Sequence, residues 1–309
     1  MTAKAFDGLG LVAGEGAVQE LKEGWFNAIY KVRLADGRTV ILKIAPPPNV
    51  EIMAYEKNIM ATEVAAMRLV GQNPAIPVPE IYFYDDDHDV CDSDYFFMEK
   101  VEGECLAHVK DKLPPEVEKG IDLHIGEIIR EINTFHGTYF GYPGNQDLRA
   151  NTWKAAFIKI IKSLLEDAYR KEVVFDFTDD EFREVIVKHA PALDEIDTPC
   201  LVHWDAWSSN IFVKAGKVVG LIDFERALWA EPLMEAQFRK FGDVGVTNSL
   251  RGYGKTSFTH SEEERNHLYA LHLALVMNTE CAYRDYDTDG VFNFSRKYLK
   301  RTMAWLKEN

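Results

Sequence analysis

The chain has 309 residues, with 50 Asp and Glu against 35 Lys and Arg and a formal net charge of -15 at pH 7. That balance repels nucleic-acid phosphates and anionic lipid surfaces and favours cationic small molecules, so neither nucleic acid nor a membrane is an expected partner. Cys91, Cys105, Cys200 and Cys281 are widely spaced with no CxxC pair, which excludes a zinc or disulfide framework and points to free thiols in a reducing compartment, the cytoplasm.

The length accommodates about two domains or lobes. The opening residues, 1–16, lack the apolar core of a signal peptide, and no membrane-length apolar run follows. Residues 25–34 and 38–45 are β-rich runs joined by Asp36-Gly37, which predicts an antiparallel hairpin. Pro46, Pro47 and Pro48 end the second strand, and residues 53–70 then take helical apolar spacing. Residues 76–84 and 95–101 are two further strand-like runs, separated by an acidic stretch from Asp85 to Asp94 that reads as a solvated turn. A β-rich unit with one helix, residues 1–100, is therefore expected. Residues 101–309 form the second unit, dominated by amphipathic helical patterns over 116–136, 152–171, 179–190, 261–284 and 292–307. Only residues 201–224 interrupt them, with a short hairpin turning at Ala215-Gly216-Lys217.

That interruption carries the chemistry. His203, Asp205 and Asn210 reproduce the spacing H-x-D-x-x-x-x-N of a kinase catalytic loop, and Asp223 follows Asn210 by thirteen residues, where a metal-binding Asp is required. On these residues the chain resembles the aminoglycoside phosphotransferase and choline kinase group, from about Glu20 to Glu235. The resemblance implies an α+β, protein-kinase-like bilobal fold, with a small β-rich N-lobe containing one helix and a larger, mostly helical C-lobe. It also implies ATP and Mg2+ as cofactors. Phosphoryl transfer to an alcohol needs an acceptor for the hydroxyl proton and hard-oxygen ligands for Mg2+. Asp205 is placed for the first task, Asn210 and Asp223 for the second.

The resemblance assigns the nucleotide side as well. Lys43, in a strand of apolar residues, is expected to reach the phosphates, and Glu63, twenty residues on, to pair with it; Glu56 is a rival on the same helix. Gly24 and Asn27 fall in the phosphate-covering loop, which is poorer in glycine than that of protein kinases. Met98 takes the gatekeeper position, the backbone of Glu99 and Val101 faces the adenine edge, and Ile222 lies beneath the base.

Trp204 and Trp207 stand where protein kinases carry Arg and Lys, and no A-P-E follows Asp223, which argues for a small acceptor. Aminoglycoside kinases more often carry Gly in place of Trp204. Glu225, Glu231, Glu235, Glu280 and Asp285 are candidates to hold a cationic acceptor. Residues 252–257 lack the first Gly of a Walker loop, and residues 285–296 lack the closing Glu of an EF-hand. The expected activity is transfer from Mg-ATP to a hydroxyl of a small molecule, best matched by an aminoglycoside or related amino sugar. Macrolide, fructosamine or choline-like acceptors, and a nucleotide-binding regulatory module without turnover, are the alternatives.

Overall fold

The computed structural model describes residues 1–14, 16–22, 26–239, 245–284 and 290–309. Gly24 and Asp285 lie outside them.

Five strands form an antiparallel sheet in the order β1-β2-β3-β5-β4: β1 Val18–Leu21, β2 Ala28–Arg33, β3 Thr39–Ile44, β4 Ile81–Asp85 and β5 Tyr95–Glu99. The β2–β3 turn sits where Asp36-Gly37 predicts it. Gly37 adopts φ +90°, a left-handed value suited to glycine, and the Asp36 carboxylate accepts the Arg38 N–H at 3.0 Å. Strand alternation then sorts β3 between two apolar clusters. Val40 and Leu42 join Val32, Tyr95 and Phe97 on the outer face, while Ile41 joins Phe96 and Met98 on the inner one. Lys43 has the parity of Ile41, so its long side chain is aimed inward.

The helix Ile59–Val70 packs against the turn Phe224–Arg226 of the helical region. The linker ahead of it is held there too: the Ala54 N–H donates to Asp167 (2.8 Å), Asn145 Nδ2 to the Ala54 carbonyl (2.8 Å) and Asn58 Nδ2 to the Gly144 carbonyl (2.9 Å). The main helices are Pro115–Ile132, Trp153–Arg170, Asp179–His189, His260–Tyr283 and Gly290–Glu308. Thr178 with Glu181, and Thr259 with Glu262, form reciprocal capping boxes that fix two of the starts.

Sequence periodicity misses the short helix Asn248–Tyr253, which lies across Pro115–Ile132. It also misses β7 Cys200–Val202 pairing with β10 Leu228–Ala230, and β6 Glu104–Cys105 pairing with β8 Ile211–Lys214, which continues into β9 Lys217–Leu221. The acidic stretch is not wholly solvated. Asp85 is buried, accepting the Tyr95 hydroxyl at 2.6 Å and pairing with Lys4 at 2.7 Å. All four cysteines are free thiols. Among the described residues no helix is long and apolar enough to cross a membrane.

Candidate active site

The turn from β7 into Ser208–Asn210 carries His203, Asp205 and Asn210 within eight residues. His203 is buried and packs at a tilt on the Phe224 ring, with centroids 4.2 Å apart. Its Nε2 faces the Ile222 carbonyl at 3.1 Å and its Nδ1 faces the Asp205 N–H at 3.1 Å. One nitrogen must donate and the other accept, so the imidazole is the neutral Nε2–H form. Burial, which pushes His203 down to about 4, agrees with that assignment.

Asn210 Nδ2 donates to the Asp205 carbonyl (2.8 Å) and to Asp205 Oδ2 (3.2 Å), which leaves the Asn210 amide oxygen turned away from Asp205. The Trp207 side chain also donates to Asp205, and Arg226 Nε stands 3.9 Å from Oδ2. Burial lifts Asp205 to about 6, with Arg226 opposing the rise. Arg226 is itself held by Glu280, and its guanidinium lies over the Trp204 and Tyr55 rings at 5.4 and 5.7 Å.

A second constellation surrounds Lys43, whose Nζ lies 2.7 Å from Glu63, 2.6 Å from Asp223 and 3.2 Å from Glu225. Glu63, not Glu56, is therefore the partner of Lys43; Glu56 pairs with Arg284 and accepts the Met53 N–H. Burial acts against the Lys43 charge, yet the three carboxylates raise its pKa well above the ordinary lysine range. Burial would lift Asp223, but Lys43 holds it below the usual carboxylate value. Glu63, Asp223 and Glu225 each offer an oxygen within 4.8 Å of the others, but all three surround Lys43 Nζ; the partly exposed Asp223 carboxylate and the amide oxygen of Asn210, on the neighbouring turn, are the oxygen donors that could serve a cation beside it. An all-oxygen donor set of this kind fits Mg2+.

The remaining expected residues fall in two groups. Met98 is buried on β5, Glu99 ends that strand, Val101 packs over Gly220, and the Ile222 N–H donates to the Asn210 carbonyl at 3.0 Å. Asn27 Nδ2 donates to Glu225 at 2.7 Å, joining the end of the phosphate-covering loop to the Lys43 group. The carboxylates expected at the acceptor side are turned to internal partners instead. Glu225 holds Lys43 and Asn27; Glu231 is buried against Arg265 and the Tyr269 hydroxyl; Glu280 holds Arg226. Glu235 is wholly buried and accepts the His203 N–H at 2.8 Å and the Trp204 N–H at 2.9 Å, so it braces the loop. Sequence spacing could not reveal Arg226 or the inward turn of Glu225, because both follow from the backbone after Asp223, which takes a left-handed φ of +69°.

A family model described as "Phosphotransferase enzyme family", APH, matches residues 17–236. The chain belongs to the APH phosphotransferase family. Among solved structures, a thermostable mutant of aminoglycoside phosphotransferase APH(4)-Ia in ternary complex with ADP and hygromycin B is similar to this chain, at TM-score 0.67 and 16% identity, covering 99% of this chain and 97% of the other. A putative fructosamine-3-kinase from Thermobifida fusca is similar at TM-score 0.64 and 18% identity, covering 98% of each chain. These likenesses show the shared, protein-kinase-like fold. A subtelomeric hrmA-associated cluster protein of Aspergillus fumigatus is 32% identical over 125 residues, 40% of this APH-family chain; the match spans only 24% of that relative's length.

Proposed function

We propose that this chain transfers the γ-phosphoryl group of Mg-ATP to a hydroxyl of a small molecule. The observation that carries the reading is the meeting of two groups around one turn: Asp205 with Asn210, and Lys43 with Glu63 and Asp223. In this reading Lys43, oriented by Glu63, donates to phosphate oxygens, while Asn210 and Asp223 hold Mg2+, which neutralises phosphate charge. Asp205 accepts the proton of the attacking hydroxyl, fixed in place by Asn210, Trp207 and the neutral His203. Gly24 and Asn27 would cover the phosphates; Met98, Glu99, Val101 and Ile222 would surround the base.

An amino sugar is the acceptor class that the net charge of -15 supports, and hygromycin B in a structurally similar protein is consistent with it. One observation favours an uncharged metabolite alcohol as a second reading: Glu225, Glu231, Glu235 and Glu280 are all engaged internally. ADP release measured with aminoglycosides, macrolides, ketoamines and amino alcohols on one side, and with uncharged sugars and polyols on the other, separates the two. Asp205→Ala should lower turnover by about a thousandfold while sparing nucleotide affinity, whereas Asp223→Ala should remove Mg2+-dependent nucleotide binding. Full turnover by Asp205→Ala would refute the assigned base. Mg2+-dependent ATP binding with no acceptor stimulating release would favour a regulatory module.

A further inference from the structure

Glu225 has the geometry of a contact made in place of a ligand. Its Oε2 receives both Asn27 Nδ2 at 2.7 Å and Lys43 Nζ at 3.2 Å, from two different parts of the β-rich unit. Those donors are the two described side chains that the phosphotransferase reading directs toward phosphate. Asn27 is 8% exposed, and its Oδ1 is buried with no hydrogen-bond partner, so its amide is fixed at one end only. Three carboxylates, from Glu63, Asp223 and Glu225, share the single Lys43 ammonium, an excess of negative charge facing any phosphate that enters.

We propose that Glu225 is a nucleotide-positioning residue: in the nucleotide-free protein it clasps Lys43 and Asn27 through one oxygen, and it yields both to phosphate oxygens when a nucleotide binds. This rests on the phosphotransferase reading. An anion held where another anion must approach opposes metal-free nucleotide, and the clasp thereby makes binding depend on Mg2+.

The test is calorimetric titration of ADP into the purified full chain, with and without Mg2+. Glu225→Gln keeps the shape and the hydrogen-bonding oxygen but removes the charge. It should raise metal-free ADP affinity by about tenfold and change Mg-ADP affinity by less than about threefold. Unchanged metal-free affinity would overturn the clasp, and a tenfold loss confined to Mg-ADP would overturn it in favour of a metal ligand. Asn27→Ala keeps the proposal testable if the first variant does not fold. It should weaken Mg-ADP binding by about tenfold with the melting temperature little changed, and unaltered affinity would overturn the proposal. Failure of the wild type to bind Mg-ADP at all would defeat the phosphotransferase reading and the clasp with it, which is a separate result from failure of the variants alone.

Discussion

Trp204 holds a φ of +70°, a backbone region that bulky residues enter only under constraint. The constraint is Glu235, which binds the N–H groups of both His203 and Trp204 from a fully buried position. Glu235→Gln replaces one strong acceptor with an N–H2 that meets a donor. Urea unfolding should show a loss of about 2–3 kcal/mol, with turnover falling because Asp205 sits one residue further along. Trp204→Gly gives an informative contrast. Relief of left-handed strain returns about 1–2 kcal/mol, but the buried indole packs edge-on to His272 and beneath Arg226, and its loss costs about 3–5 kcal/mol. The glycine variant should therefore be less stable than the wild type despite its more comfortable backbone. At this scale the sequence exposed what is local: His203, Asp205 and Asn210 are read from spacing alone. Arg226 and the bracing role of Glu235, which the sequence offers only as an acceptor-side carboxylate, were hidden, since their partners lie across tertiary contacts and a carboxylate's direction does not follow from its neighbours in the chain.

Among the elements, the helices Pro115–Ile132 and Asn248–Tyr253 approach so closely that a Cβ on Gly126 would lie 1.9 Å from the Ser249 carbonyl oxygen, and one on Gly252 would lie 1.9 Å from that of Leu123. Both obstacles are backbone, so no side-chain rotation relieves them. Gly126→Ala should lower stability by about 2–3 kcal/mol in urea unfolding, because overpacking against fixed backbone outweighs the gain of about 1 kcal/mol in helix propensity. The long helices were legible in the sequence through their apolar period, while the capping boxes at Thr178 and Thr259 that fix two of their starts were not singled out. The short one was not, because it has six residues, including Gly252, and its hold on the fold comes from the surface it meets.

For the molecule as a whole, buried histidines tie stability to pH. His272 lies between Phe157 and Trp204 with neither ring nitrogen hydrogen-bonded, and burial pushes it down to about 3. A histidine depressed in the folded state binds its proton first in the unfolded chain. Its contribution is thus complete above about pH 6.5 and is lost progressively as pH falls toward 3, by about 1.4 kcal/mol per pH unit. Other buried titratable groups contribute slopes of their own, so the quantity to measure is a difference. Relative to wild type, His272→Leu should show a shallower acid loss of stability between pH 6 and pH 4 in urea titrations; identical slopes would mean that His272 is not held neutral by the fold. The bilobal plan was legible from the switch between strand and helix patterns, but the attachment of residues 54–58 to Asp167, Asn145 and Gly144 was not. That attachment ties Glu63 to the helical lobe, whereas Lys43 travels with the sheet. Their 2.7 Å ion pair therefore joins the sheet to a helix anchored on the helical region, so that any rocking of one against the other would be read out in its length, as by a strain gauge.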